Sequence, residues 1–302
     1  MIRSALVLEG GAMRSLFTSG VLDILMENDL EFAYVIGVSA GALTGVNYIS
    51  HDVGRTARIN IGFADDSRFV GMGNLLKKRS LFNFDFLFGR LNQQIIPMDF
   101  ERFYHSPQRF VAVSTDCATG NPIYHELGKT EDMMAAVRAS SSMPYLAPMV
   151  HVDGMDCLDG GVSDAIPVER ALEEGYGKTV LVLTRDATFR ASETGSLRGF
   201  AIEKTYRAYP EFAHKLRTMS ARYNQTLDRI AALEQEGRVF VIRPAAPVTV
   251  GRAERNPEKL QTLYNEGRRV AESRLGALRD YLGDALPPAH RGLLDKLKER
   301  FL

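Results

Sequence analysis

The sequence predicts an α/β protein built on a mostly parallel sheet, and three observations carry that prediction. Short apolar runs of strand length alternate with stretches of helical spacing from the N-terminus onward. Glycine-rich turns mark the junctions between them. At 302 residues the chain is long enough to bury a sizeable core, as one large domain or a domain plus an appendage.

The elements follow in order. Ala5 to Leu8 reads as a buried strand, and Glu9-Gly10-Gly11-Ala12 as a glycine-rich turn. Arg14 to Asn28 has helical spacing at Phe17, Val21, Ile24 and Leu25. Ala33 to Val38 is a second strand, after which Ser39-Ala40-Gly41-Ala42-Leu43 opens a second helix. Strand, helix, strand, helix at this spacing is parallel βαβ construction. Residues 51 to 108 are less regular and are expected to form a cap of short helices and loops. Its Phe-rich stretch (Leu81, Phe82, Phe84, Phe86, Leu87, Phe88) reads first as core beneath a long loop and second as the lining of an acyl-chain groove.

Arg109 to Ser114 returns to strand pattern, with Pro122 to Leu127 as its pairing partner. Thr130 to Ala139 reads as a helix capped by Thr130, with Asp132 in its first turn. Met149 to Val152, Asp153-Gly154 and Met155 to Leu158 form a hairpin signal, because Asp-Gly suits a two-residue turn. Asp159-Gly160-Gly161 ends the second strand of that hairpin. Pro167 to Glu174 is helical and Thr179 to Thr184 is a further buried strand. From 186 to 237 the chain reads as mostly helical, followed by a last strand at Val239 to Ile242 and a helix from Pro257 to Leu282. The segment Arg291 to Leu302 is amphipathic, and docking on the protein's own core is expected before transient contact with a membrane surface. The domain boundaries expected are a catalytic core at 1–185, with 51–108 as a cap-like insertion, and a mostly helical extension at 186–302 packed on it.

Composition narrows the function. Lys plus Arg and Asp plus Glu are both 37, so the formal net charge is zero. Nucleic-acid-binding proteins carry a basic excess, and no nucleic-acid partner is expected. Two cysteines, Cys117 and Cys157, cannot form a disulfide framework and suggest a reducing compartment. The apolar run before Glu9 is too short for a secretory signal or a membrane span. The expectation is a cytoplasmic protein, at most peripheral to the inner face of the membrane.

Gly37-Val38-Ser39-Ala40-Gly41 fits the G-x-S-x-G nucleophile elbow, between a strand-like and a helix-like run. A serine on so sharp a turn has strained backbone, and bulky neighbours two residues to either side would collide. The turn also sets the hydroxyl at a helix N-terminus, where the dipole favours developing negative charge. The plainer reading is a tight βα turn with Ser39 as its cap. Backbone N–H groups of Gly10, Gly11 and Ala12 are placed to hold a tetrahedral oxyanion, each donor typically contributing ~3 kcal/mol. Phosphate binding is the competing reading, but neither the Rossmann glycine pattern nor a Walker lysine is present.

The six histidines, His51, His105, His125, His151, His214 and His290, lie in no recognisable catalytic context. Asp159, at a strand end beside Gly160 and Gly161, is the stronger base, its basicity raised if it is buried. The alternative is that Asp159 merely caps a turn.

Taken together, the glycine loop ending in Arg14, the elbow from Gly37 to Gly41, and Asp159-Gly160-Gly161 resemble the patatin-like phospholipase family in order and spacing. Ala139-Ser140-Ser141 through Pro144 to Asp159, and on to Pro167-Val168, is similar in layout, and the likeness covers about residues 2 to 185. The resemblance implies a three-layer α/β/α fold and hydrolysis of lipid acyl esters by a Ser-Asp dyad without histidine. It implies Ser39 as nucleophile, Asp159 as base, Gly10, Gly11 and Ala12 as oxyanion hole, and Arg14 as support of that loop. No metal or organic cofactor is implied, and the partner is a lipid or phospholipid acyl ester. The departures are Ala12 and Ser15, where the family usually has glycine. At negative φ an alanine presents its N–H freely; at positive φ it is strained by ~1 kcal/mol or more. Acyl transfer to an alcohol acceptor with the same dyad, and a lipid-binding regulatory protein without turnover, are the alternatives.

Overall fold

The computed structural model describes residues 1–192 and 196–287, so the amphipathic segment from Arg291 to Leu302 lies outside the described residues. The chain runs β1 (Ile2–Leu8), a 3-10 turn (Ala12–Ser15), α1 (Leu16–Glu27), β2 (Phe32–Val38), α2 (Ala40–Ile49) and α3 (Arg55–Gly62). There follow α4 (Met72–Lys78), a kinked π-helical segment (Phe86–Ile95) and α5 (Phe100–Tyr104). Then come β3 (Arg109–Asp116), β4 (Pro122–Glu126), α6 (Met133–Ser140), β5 (Val150–Val152), β6 (Met155–Asp159), α7 (Val168–Glu173) and β7 (Thr179–Val182). The described chain closes with α8 (Ser196–Thr205), α9 (Pro210–Gln235), β8 (Val239–Ile242) and α10 (Pro257–Leu282).

The strands make one sheet in the order β5-β6-β3-β2-β1-β7-β8, with β4 also paired to β3. From β3 to β8 the neighbours are parallel; the hairpin β5–β6 and strand β4 are antiparallel additions at β3. Strand alternation divides the core into two layers. Leu6 and Leu8 of β1, Val180 and Val182 of β7, and Phe240 and Ile242 of β8 face one cluster, shared with α1, α2, α6 and α10. Ala5 and Val7, Leu181, and Val239 and Val241 face the other, closed by α7 and the end of α9 through Val168, Ile230 and Leu233. Helices thus cover both faces of the sheet, the three-layer arrangement that the resemblance implies.

The β5–β6 hairpin turns on Asp153 (φ 48°) and Gly154 (φ 81°), both left-handed, which is what a two-residue turn between twisted strands requires. Two boundaries differ from expectation. The cap of α6 is Asp132, whose side chain accepts from the Ala135 N–H at 2.9 Å, because Thr130 belongs to the preceding turn, its N–H donating to the Glu126 carbonyl, and the helix starts only at Met133. The helix expected from Arg14 begins as the 3-10 turn and becomes α-helical only at Leu16, since the loop before it must first clear the sheet edge.

The region after residue 186 contributes both to the sheet, through β8, and to the helical layers. Helix α10 crosses α1 at backbone contact: a Cβ on Gly20 would lie 2.2 Å from the Tyr264 carbonyl oxygen, and one on Gly267 2.1 Å from that of Phe17. Beside that crossing the Tyr264 hydroxyl donates to Asp23 at 2.7 Å, and Arg268 forks onto Glu27 at 2.8 and 2.9 Å. Among the described residues no helix is long and apolar enough to cross a membrane.

Because neither glycine has room for a methyl group, Gly20→Ala and Gly267→Ala are each expected to cost about 1–3 kcal/mol of stability. Urea unfolding measures this: a lowered midpoint at constant slope is the expected result. An unchanged midpoint would show that the two helices are not in backbone contact.

Candidate active site

Strand β3 sets the site. Its Val113 pairs with Val38, the last residue of β2, and its next residue, Ser114, pairs with Asp159, the last residue of β6. Consecutive positions on one strand therefore bring the ends of β2 and β6 side by side. The chain leaves β2 through Ser39, whose φ of 55° and ψ of −125° is a strained conformation for a residue with a side chain. Its hydroxyl donates to Asp159 Oδ2 at 2.7 Å. The Ser39 N–H donates to Ser140 Oγ at 2.8 Å, which ties the elbow to the end of α6.

Close backbone approach explains the glycines of both motifs. A Cβ on Gly41 would fall 2.4 Å from the Leu8 carbonyl oxygen, and one on Gly37 would lie 2.7 Å from Gly41. On Gly160 it would fall 2.1 Å from the Val113 carbonyl oxygen. Gly161 donates its N–H to Asp159 Oδ1 at 2.8 Å, so each carboxylate oxygen of Asp159 has one donor. Asp159 is buried, and burial pushes its carboxyl up to about 6, against the Ser39 and Gly161 hydrogen bonds and the charge of Arg252, which all favour ionisation.

The loop after β1 lies against Ser39: a Cβ on Gly10 would come within 3.0 Å of Ser39 Cβ. The N–H groups of Gly10, Gly11 and Ala12 donate to no group among the described residues. Ala12 has φ 50°, so the strained alternative holds, at about 1 kcal/mol. Arg14 closes the turn through its backbone N–H, which donates to the Gly11 carbonyl at 3.2 Å. Its guanidinium is buried with no hydrogen bond to the loop among the described residues, and burial together with the charges of Arg185 and Arg252 lowers it to about 10.

What fixes the loop instead is Glu9. Its carboxylate accepts from the Tyr223 hydroxyl at 2.6 Å and from the Thr184 N–H at 2.5 Å, while Thr184 Oγ1 donates to the Gly10 carbonyl at 3.0 Å. Tyr223, Thr184, Ser140 and Ala40, the last of which lines the cavity, were not singled out from the sequence as candidates. Ala40 had a sequence signal in its place directly after the elbow serine, and Ser140 in the Ala139-Ser140-Ser141 stretch.

Ser39 opens into a cavity of about 810 Å³, its mouth included, whose walls are mainly apolar and include Leu43, Ile59, Phe82, Phe84, Leu87 and Phe88. Four residues of the Phe-rich stretch therefore face the cavity, and Leu81 and Phe86 are buried beside it. No histidine is among the described residues that line it. A serine, a histidine and an aspartate do meet elsewhere. Ser114 Oγ lies 2.7 Å from His125 Nε2, and His125 Nδ1 lies 3.7 Å from Asp153. Ser114 is 0% exposed, so no substrate carbonyl reaches it, and the group is structural.

The model of the patatin-like phospholipase family matches residues 6–172, and that of a domain of unknown function, DUF6363, matches residues 209–283. The uncharacterised protein YjjU of Escherichia coli is 34% identical over 191 residues, which is 60% of this chain and 51% of that protein. The uncharacterised NTE family protein MT2641 of Mycobacterium tuberculosis is 28% identical over 189 residues, 59% of this chain and 29% of its own length. The chain thus spans about half the length of the first relative and under a third of the second. Among solved structures, VipD of Legionella pneumophila superposes with a TM-score of 0.44 at 13% identity, over 89% of this chain and 67% of that one.

Burial of Asp159 has a sign that can be measured. With its carboxyl at about 6, the folded chain holds a proton that the unfolded chain, near 4, has released. Between about pH 4 and 6 the folded state therefore loses stability as pH rises, and the loss persists above that range. Asp159→Asn removes the buried charge. It is expected to be more stable than the wild type by about 1–3 kcal/mol at pH 7, with the difference closing towards pH 4. Urea unfolding at both pH values checks this, and a difference independent of pH would contradict it.

Proposed function

The chain belongs to the patatin-like phospholipase family, and from that premise we propose that it is a serine hydrolase of lipid acyl esters working through a Ser39–Asp159 dyad. The observation that carries the reading is the 2.7 Å hydrogen bond from Ser39 Oγ to a buried carboxylate with no histidine between them. A carboxylate at about 6 is a stronger base than a free aspartate, and it is largely ionised at neutral pH.

Ser39 Oγ attacks the ester carbonyl carbon, its proton passes to Asp159 Oδ2, and the carbonyl electron pair moves onto oxygen. The free N–H groups of Gly10, Gly11 and Ala12, with that of Ala40, hold this oxyanion. Its collapse breaks the bond to the alcohol, which leaves with the proton from Asp159. A water then gives its proton to Asp159 and attacks the acyl-enzyme, and collapse releases the fatty acid as Ser39 recovers the proton. The strained φ of Ser39 keeps its oxygen outside the sheet edge, facing the cavity where the acyl chain is taken up.

In this reading residues 1–185 form the catalytic core, and the segment 51–108 walls the acyl chain. The region after 186 lends Tyr223 to the oxyanion loop through Glu9 and brings the charge of Arg252 near Asp159.

Hydrolysis of p-nitrophenyl butyrate tests the reading. Ser39→Ala and Asp159→Asn, both folded, are each expected to lose about 10³-fold or more in kcat/KM. In the wild type kcat/KM is expected to fall off below about pH 6, as Asp159 takes up its proton. Retained activity in Asp159→Asn, or a profile flat down to pH 4, would refute the dyad.

A further inference from the structure

The cavity is not apolar to its end. Helix α2 starts at the nucleophile and presents Ala40, Leu43, Thr44 and Asn47 along one face of it. Around Asn47, eight residues along α2 from Ser39, the lining is polar, with Arg55, Thr56, Asn60 and Asn92. Arg55 is buried and committed: Nη1 donates to Asn47 Oδ1 at 2.8 Å, and Nη2 to Asn92 Oδ1 at 2.8 Å and to the Ile96 carbonyl at 2.7 Å. Its Nε lies 3.2 Å from Asp52, a carboxylate that Arg58 also meets at 3.0 Å. Asn47 in turn donates to Thr56 Oγ1 at 2.7 Å.

What this network leaves over is neutral. The Thr56 hydroxyl proton, the Asn92 Nδ2 group and the whole Asn60 amide have no hydrogen-bond partner among the described residues, and all three side chains line the cavity. Thr56 is 9% exposed and Asn92 5%. An ordinary hydrocarbon chain end would cover these donors and acceptors without satisfying them. A chain end carrying an oxygen would satisfy them. The terminal nitrogens of Arg55 are already bound to Asn47, Asn92 and the Ile96 carbonyl, so the groups left open toward the cavity are the neutral ones of Thr56, Asn60 and Asn92, which a neutral hydroxyl matches.

Resting on the proposed hydrolase reading, we propose that the site is specific for acyl chains bearing a hydroxyl near the far end, recognised by Thr56, Asn60 and Asn92. The reach follows from α2. Asn47 lies eight residues beyond Ser39, about 12 Å along the axis at the helical rise. An extended chain advances about 1.2 Å per bond, so a chain of about ten carbons spans the distance.

The test reads binding, not turnover, and so stands apart from the hydrolase reading. The Ser39→Ala protein is titrated calorimetrically with methyl 10-hydroxydecanoate and with methyl decanoate. The hydroxylated ester is expected to bind at least about tenfold more tightly. In the double variant Ser39→Ala/Asn60→Leu that preference is expected to fall below about twofold, because the open amide partner is gone, while methyl decanoate still binds. Equal affinities in Ser39→Ala, or a preference that survives Asn60→Leu, would overturn the proposal even if the wild type hydrolyses butyrate. A hydroxyl preference in a protein whose wild type cleaves no ester would sink the hydrolase reading and uphold the recognition site.

Discussion

The carboxylate of Asp159 reaches the hydroxyl of Ser39 because β3 hands its pairing from β2 to β6 between Val113 and Ser114. A strand's register is discrete, so a one-residue slip of β6 would turn Asp159 to the other face of the sheet. The surrounding geometry is locked to the same junction. The Asp159 N–H donates to the Ser142 carbonyl at 2.9 Å, and Thr115 Oγ1 donates to the Asp159 carbonyl at 2.9 Å. Gly160 lies so close to Val113 that only a hydrogen fits between them. The Ser39–Asp159 pair is held by main-chain packing on both sides, the kind of rigidity that the proposed preorganised site needs.

That arrangement costs stability in three places. Ser39 and Ala12 sit at positive φ, and Asp159 is a carboxylate taken out of water. Each opposes folding by about 1–3 kcal/mol. The apolar layers on both sides of the sheet offset these costs, and the glycine crossing of α1 and α10 braces the helix that follows the loop after β1. The Glu9 contacts work at the same distance from the chemistry. A residue of α9 and a residue beyond β7 fix the carboxylate beside Gly10, so the loop amides are aimed by parts of the chain far away in sequence.

Much of this was legible because it is local. The βα turns, the Asp-Gly hairpin and the G-x-S-x-G elbow each lie within a few residues, where spacing and glycine placement carry a physical requirement. Asp159 was legible only as a partner of the elbow, since Asp before two glycines also serves as an ordinary turn cap. The contacts that join Tyr223 to Glu9 and Tyr264 to Asp23 span more than two hundred residues and leave no periodic trace. The polar end of the cavity was equally hidden. Asn47, Arg55 and Asn92 come from α2, α3 and the π-helical segment, and each alone reads as an ordinary surface polar residue. The Phe-rich stretch was ambiguous for a related reason: composition does not say whether an aromatic ring faces core or cavity. The cap of α6 is Asp132 and not Thr130 because the helix starts only at Met133, directly after Asp132.

The central claim is that Asp159, and no histidine, activates Ser39. The most direct measurement is the rate of covalent labelling of Ser39 by a fluorophosphonate, followed by intact mass across pH 4 to 8, in the wild type and in Asp159→Asn. The account predicts a wild-type rate that rises with a midpoint near pH 6, as the Asp159 carboxyl ionises, and a variant slowed at every pH. A variant labelled as fast as the wild type would contradict it and return the search for a base to the rest of the molecule.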